Sequence, residues 1–231
     1  MIVFERKFPM QQPISTKGYK GLGMEGLTAK WYAKLTGKSL EDFKVLARRV
    51  AGEILEGSRI LEVAPGPGYF SIELAKLGDY RVTGLDISRT FVDIARKNAA
   101  EAGVVVEFRQ GNASQMPFKD DSFDFLLCRA AFKNFSDPVG ALQEMCRVLR
   151  KGGRTLIIDL RRDASRESIN QYVDHARVGL ANSILTKLTF RFMLLRRAYT
   201  KPDLKQFFTQ TKFRRTDIQE DAMGFEVTLE K

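Results

Sequence analysis

Arg59-Ile60-Leu61-Glu62-Val63-Ala64-Pro65-Gly66-Pro67-Gly68-Tyr69-Phe70-Ser71 decides how this chain folds. Ile60, Leu61 and Val63 form a short apolar run, the pattern of a buried parallel strand. An acidic residue, Glu62, lies near its end, and two glycines and two prolines then set a turn. Helical spacing resumes from Ser71 to Leu77, where Ile72, Leu74, Ala75 and Leu77 can share a face. A strand, a glycine-rich turn and a helix can hold a nucleotide-type ligand. Glycine lets the ligand lie against the backbone, and the helix start offers free N–H groups. A Gly-x-Gly turn alone also fits a plain tight connection, so the reading depends on what lies downstream.

Downstream, strands and helices alternate. Tyr80 to Asp86 reads as a second strand ending in a carboxylate, and Ser88 as the cap of the next helix, which ends near Gly103. Val104 to Phe108 reads as a third strand, followed by Gly111-Asn112-Ala113. Phe123 to Cys128 is a fourth strand. Asp137 and Pro138 open a helix that Lys151-Gly152-Gly153 stops, and Thr155 to Leu160 is a fifth strand. This rhythm predicts a parallel sheet covered on both faces. Upstream, Glu25 to Leu35 reads as a short helix. A second helix, capped by Ser39, carries apolar positions to Leu55 and stops at Gly57. Residues 165–197 read as one or two helices with no strand between, and Pro202 starts another. Arg214 to Ile218 and Gly224 to Leu229 then form a strand pair whose short connection favours an antiparallel arrangement.

The 231 residues, 44% of them hydrophobic, can bury one large core, with or without a small cap. The N-terminus lacks the apolar run of a signal peptide, and charges interrupt the most apolar later stretch, Val178 to Leu195. Two cysteines, Cys128 and Cys146, are too few for a disulfide framework or a structural zinc site. A reduced, cytoplasmic protein with no metal is therefore expected. Residues 1–58 carry 10 Lys/Arg against 6 Asp/Glu, residues 59–149 carry 11 against 12, and residues 150–231 carry 17 against 10. The glycine-turn segment is near neutral and its flanks are basic. Such flanks favour anionic partners (nucleic acid, acidic lipid or a carboxylate substrate), or serve simply as a solvated face.

Four stretches together resemble the class I S-adenosylmethionine-dependent methyltransferases, in particular the small-substrate, type 11-like branch: Glu62 to Gly68, Gly84 to Ser88, Gly111 to Phe118, and Arg147 to Gly153. The resemblance spans residues 40–160 and the terminal strand pair. It implies a Rossmann-like fold with a mostly parallel seven-stranded sheet, an antiparallel C-terminal strand and a helical cap. Residues 1–57 would contribute to the cap, and residues 58–231 would form the methyltransferase domain, with a helical insertion at about 165–197. The implied cofactor is S-adenosylmethionine. Gly66 and Gly68 would let the turn approach its methionine and ribose, and Glu62 would bind the methionine amine or brace the loop. Asp86 would accept from both ribose hydroxyls, which suits a group whose oxygens only accept. Ile87 would lie on the adenine face. Asn112 and Ala113 would meet the adenine edge, with the Asn112 carbonyl oxygen accepting from the amino group. Cys128 and Arg129 would sit beside the methionine. Two positions depart from the family pattern: Ala64 stands where glycine is usual, and Asn112 where aspartate is common. A dinucleotide is the rival cofactor, since Asp86 lies 20 residues after Gly66, but Ser71 occupies the third glycine position of that fingerprint.

Methyl transfer from a sulfonium needs alignment and exclusion of water more than acid–base help. The candidates for a base are weak ones: Lys133, Asn134 and His175, the last being the only histidine. No Asn-Pro-Pro-Tyr-type motif follows the fourth strand, and Cys128 is not preceded by proline, which argues against amino methylation of nucleic acid and against cytosine chemistry. Tyr19, Trp31, Tyr32 and Phe132 are candidates to line a substrate pocket. The insertion has an apolar side (Ile184, Leu185, Leu188, Phe192, Leu195) and a basic side (Lys187, Arg191). It is read, in order, as a lid, a homodimer contact or a membrane-surface helix. The expected function is methyl transfer to a small-molecule nucleophile. The alternatives are an RNA or protein methyltransferase using the basic flanks, and a cofactor-binding protein without activity.

Overall fold

The computed structural model describes residues 18–20, 23–37, 40–175 and 194–231. Seven strands form one sheet in the order β3-β2-β1-β4-β5-β7-β6. They are β1 Arg59–Val63, β2 Arg81–Asp86, β3 Glu107–Gln110, β4 Phe123–Arg129, β5 Leu149–Leu160, β6 Arg215–Glu220 and β7 Gly224–Glu230. The first five pair in parallel, while β7 runs antiparallel to both β5 and β6. The order reverses between β1 and β4, the switch point where open α/β sheets bind ligands outside the strand carboxyl ends.

The helices are α1 Gly26–Thr36, α2 Leu40–Ala51, α3 Tyr69–Ala75, α4 Arg89–Glu101, α5 Pro138–Val148, α6 Arg166–His175 and α7 Lys201–Phe208, with a single helical turn at Leu195–Arg197. Their starts follow capping chemistry. The Ser88 hydroxyl accepts from the Phe91 N–H, Asp137 caps α5 ahead of Pro138, and Thr200 and Asp203 make a reciprocal capping box on α7. Two apolar layers cover the sheet. Leu61, Leu126, Leu142, Met145, Ile157 and Val227 belong to one, and Ile60, Phe70, Leu74, Phe125, Leu127 and Leu156 to the other. Successive residues of β1 and β4 point to opposite layers, so the neighbours Ile60 and Leu61, and likewise Phe125, Leu126 and Leu127, are all apolar and buried.

Three expected boundaries move. The helix from Leu40 ends at Ala51, where Gly52 follows, and Ile54 and Leu55 lie beyond it. The third strand starts at Glu107, not Val104: Val104 and Val106 pack from an extended lead-in, and Val105 points to solvent. The fifth strand starts at Leu149, directly after α5. Its register against β4 shifts between Phe123 and Phe125, and Gly152 takes a left-handed φ of 74°. The glycine pair therefore lies within a bent strand, where the sequence reading placed the stop of the preceding helix, which ends earlier, at Val148. Of the helical insertion, residues 176–193 lie outside the described residues, as does Ser39, and nothing is described of the His175 side chain.

Candidate active site

The carboxyl ends of β1 and β2 are tied together by a buried carboxylate. Asp86 accepts from the Gly66 N–H at 3.0 Å and from the Ser88 N–H at 2.9 Å. It thus fixes the glycine turn against the start of α4. Glu62, also buried, accepts from the N–H and the hydroxyl of Ser71 and anchors the first turn of α3. Burial pushes Glu62 up to about 7 and Asp86 up to about 6, against the pull of these hydrogen bonds. Neither carboxylate has a cation within salt-bridge distance among the described residues. The nearest relief for Glu62 is the charge of Arg129, whose guanidinium lies 4.5 Å from the centre of the Phe43 ring.

The turn's two glycines have different jobs. Both are left-handed, with φ of 54° at Gly66 and 80° at Gly68. A side chain on Gly66 would meet nothing within 4 Å, so the space beside this glycine is open. A side chain on Gly68 would strike Phe108 at 2.7 Å and Ala95 at 2.9 Å. Gly68 is required by helix–strand packing, since its Cα hydrogen side faces Phe108 and Ala95. Ala64 adopts a φ of 58° and donates to Leu85 at 2.8 Å, and Ala130, at the end of β4, adopts 56° and donates to Ile158 at 2.7 Å. A non-glycine residue in this region pays a steric cost.

On the far side, Asn112 uses its carbonyl oxygen within its own turn, accepting from the N–H and hydroxyl of Ser114 at 3.0 and 2.9 Å. Both lone pairs of that oxygen are thus engaged within the turn, so it is not left over to accept from an adenine amino group as the resemblance implied. The Asn112 amide nitrogen faces Gly18 instead: a side chain there would meet it at 2.9 Å and Ile87 Cδ1 at 2.6 Å. The N-terminal segment thus lies on the expected adenine shelf. It continues across the site, with the Lys20 N–H donating to Asn134 at 2.7 Å and the Ser136 N–H donating to Gly18 at 3.2 Å. Farther on, Glu25 accepts from the N–H groups of Arg89 and Thr90 at 2.9 and 3.1 Å, docking α1 on the start of α4.

The ends of β4 and β5 carry a different arrangement. Lys133 and Asp159 form a buried ion pair at 2.8 Å, and Lys133 also donates to the Ala130 carbonyl. A lysine held this way is no free base, so this weak candidate reads as structure. Phe132 is fully buried against Phe135 and Tyr199, in the core rather than on a pocket wall. Cys128 is fully buried, and burial pushes its thiol well up, so it is a packed residue whose side chain offers nothing to a ligand. Tyr32 faces inward from α1, packs edge-on against Phe91 and feels the charges of Arg129, Asp159 and Asp86. Trp31, one position earlier, points to solvent, because neighbouring helical residues cannot share a face. Burial raises Tyr19, Tyr32 and Tyr199, the last to about 12, so their hydroxyls stay protonated donors at neutral pH. Lys20 Nζ donates to Tyr199.

Sequence reasoning missed Gly18, Glu25, Asp159 and Tyr199. Asp159 had a usable signal, a carboxylate ending the apolar run Leu156-Ile157-Ile158, the same signal that marked Asp86. Tyr199 and Gly18 had none, because their place depends on chain far away in sequence.

Chemically, the β1–β2 side offers two buried acceptors without a cation, beside open space at a glycine. It suits a cationic ligand that also presents hydroxyl groups. No group of acidic, histidine or cysteine side chains among the described residues could hold a metal ion.

Residues 61–157 match the family model of a methyltransferase domain. A demethylmenaquinone methyltransferase from Deinococcus radiodurans is 37% identical over 121 residues, which is 51% of this chain and 50% of that protein. A ubiquinone/menaquinone biosynthesis C-methyltransferase from Bdellovibrio bacteriovorus is 36% identical over 104 residues, 45% and 44% of the two chains. The chain spans about half the length of the curated relatives it matches. Among solved structures, a Methanococcus maripaludis protein superposes with a TM-score of 0.70 at 21% identity, covering 92% of this chain and 95% of that one. An S-adenosylmethionine-dependent methyltransferase from Aquifex aeolicus gives 0.62 at 19% identity, covering 82% and 97%. At these identities the structural likeness is one of fold.

Proposed function

We propose that this chain, whose residues 61–157 form a class I S-adenosylmethionine-dependent methyltransferase domain, transfers the cofactor's methyl group to a small, largely apolar aromatic acceptor. The carrying observation is the pair of buried carboxylates, Glu62 and Asp86, at adjacent strand ends beside the open space at Gly66. Asp86 would accept from the ribose hydroxyls and Glu62 would face the cationic methionine end. Ile87 and the Ala113 backbone would hold the adenine. When bound, the cofactor would supply an electrophilic methyl group on a sulfonium, whose neutral thioether is a good leaving group, so the residues around it would have only to hold and align the two partners.

The protein's own share is then position and dryness. Tyr32 from α1 and Tyr19 from the crossing segment present protonated hydroxyls on the acceptor side, able to orient an acceptor oxygen by donation. The aromatic acceptor class is supported by these phenols and by the quinone-related names of the relatives. The test is transfer from methyl-labelled cofactor to a panel of quinols and phenols. Labelled product with a quinol or phenol supports the reading. Cofactor binding with no transfer to any of them overturns the acceptor class, and absence of cofactor binding overturns the whole reading.

A further inference from the structure

α1 has two faces, and the methyl-transfer site uses only one. Ala29 and Ala33 are buried, and Tyr32 turns toward the strand ends. On the outer side Leu27, Trp31 and Leu35 recur every fourth residue and so form one row along the helix. They are 83%, 65% and 46% exposed. Lys30 and Lys34 are exposed along the edge of this row, and the eleven residues of α1 contain no acidic side chain. The acidic residue just before the helix, Glu25, is committed to Arg89 and Thr90. The row is therefore apolar and flanked by cations, with no acidic side chain on the helix itself to neutralise them.

We propose that the outer face of α1 docks on an anionic lipid surface. Leucines and a tryptophan immersed at the level of the headgroups, with lysines at their side reaching phosphate, is the composition of a helix that lies in a membrane interface. Charge selects this occupant. A second copy of the chain, with net charge +10, would bring more positive charge to the same lysines, whereas an anionic bilayer complements them. No described helix is long and apolar enough to cross a membrane, so the contact is peripheral. Docked this way, α1 lies between the lipid and the site, with Trp31 on one side and Tyr32 on the other. An acceptor dissolved in the bilayer would reach Tyr32 without crossing bulk water.

Trp31 is the only tryptophan, so its emission reports this face alone. The experiment titrates the full chain with vesicles of phosphatidylglycerol and phosphatidylcholine, and with phosphatidylcholine alone, following emission and co-sedimentation. The expected result is a solvent-exposed emission maximum in the free protein, a blue shift with the anionic vesicles, and loss of that shift in high salt. Leu27→Glu and Leu35→Glu together should weaken co-sedimentation at least tenfold and leave cofactor binding unchanged, which shows that the variant folds. The idea is overturned by any of four results: no shift with anionic vesicles, equal binding to neutral ones, an already blue-shifted maximum in the free protein, or a shift that follows protein concentration without lipid. Vesicle binding needs neither cofactor nor acceptor, so it fails or succeeds separately from methyl transfer.

Discussion

The two halves of the site treat buried charge in opposite ways. At β1 and β2, Glu62 and Asp86 are buried with hydrogen bonds from N–H groups and a hydroxyl but without a cation. At β4 and β5, Asp159 is buried with Lys133 at 2.8 Å and also accepts from the Lys133 and Leu160 N–H groups. The first half stores an unmet demand for positive charge, which a cationic ligand can supply. The second half has met its demand and serves to hold the loop after β4 in place. Under the proposed function, the first half would take the cofactor and the second would scaffold the acceptor side.

The comparison breaks most sharply at Asp159. Asp159→Asn leaves a buried lysine charge without its partner and should cost about 3–5 kcal/mol of stability, read as a lower urea midpoint. Replacing both partners, Lys133→Met with Asp159→Leu, should recover part of that loss, since the uncompensated charge goes but the Lys133 and Leu160 N–H groups still lose their acceptor. If the single variant is as stable as the wild type, the pair is not the structural unit described here.

The opposite half should respond in binding rather than in folding. Asp86→Ala should weaken cofactor binding by about 1–3 kcal/mol, through lost hydrogen bonds, while the protein remains folded. Calorimetric titration measures it, and unchanged affinity would remove Asp86 from the cofactor site.

Glu62 sharpens the contrast through pH. Its value rises from 4.5 to about 7 in the fold, and that of Asp86 from 3.8 to about 6. The fold binds these protons more tightly than the unfolded chain does. Their stabilising contribution is therefore present at low pH and is lost as pH rises, between about 4.5 and 7 for Glu62 and between about 3.8 and 6 for Asp86. Glu62→Gln should raise the stability of the cofactor-free protein at pH 8 by about 1 kcal/mol and weaken cofactor binding at the same time. A variant that is less stable at pH 8 would mean that Glu62 is chiefly a brace for α3.

The smallest effect is expected at the turn. Ala64→Gly relieves a left-handed alanine, with φ of 58°, and should add about 0.5–1 kcal/mol in thermal or urea unfolding.

The legible half of the site was the unpaired one. Glu62 and Asp86 end apolar runs next to glycine turns, and each is recognisable from fewer than ten neighbouring residues. The division of labour between Gly66 and Gly68 was not legible, because it depends on Phe108 and Ala95 arriving from β3 and α4. The engagement of Asn112 by Ser114 is local, and the short polar run Asn112-Ala113-Ser114 carried that signal. Asp159 lies 26 residues from Lys133, and its pairing requires the register of β4 on β5. The fold emerged well because strand–helix alternation is periodic, and the boundaries moved where glycine bent a strand or valine faced solvent, as at Gly152 and Val105. Trp31 and Tyr32 show the same limit on a helix: adjacent aromatics cannot both face the pocket, and packing of Ala29 and Ala33 decides which one does.

The central claim is that Glu62 and Asp86 wait as buried, unpaired carboxylates for a cationic cofactor. Calorimetric titration of S-adenosylmethionine into the wild-type protein from pH 5 to pH 8 tests it most directly. Affinity should rise at least tenfold across that range, with proton release on binding near pH 6 to 7 as the two groups ionise. An affinity that is flat across the range, with no proton released, would contradict it.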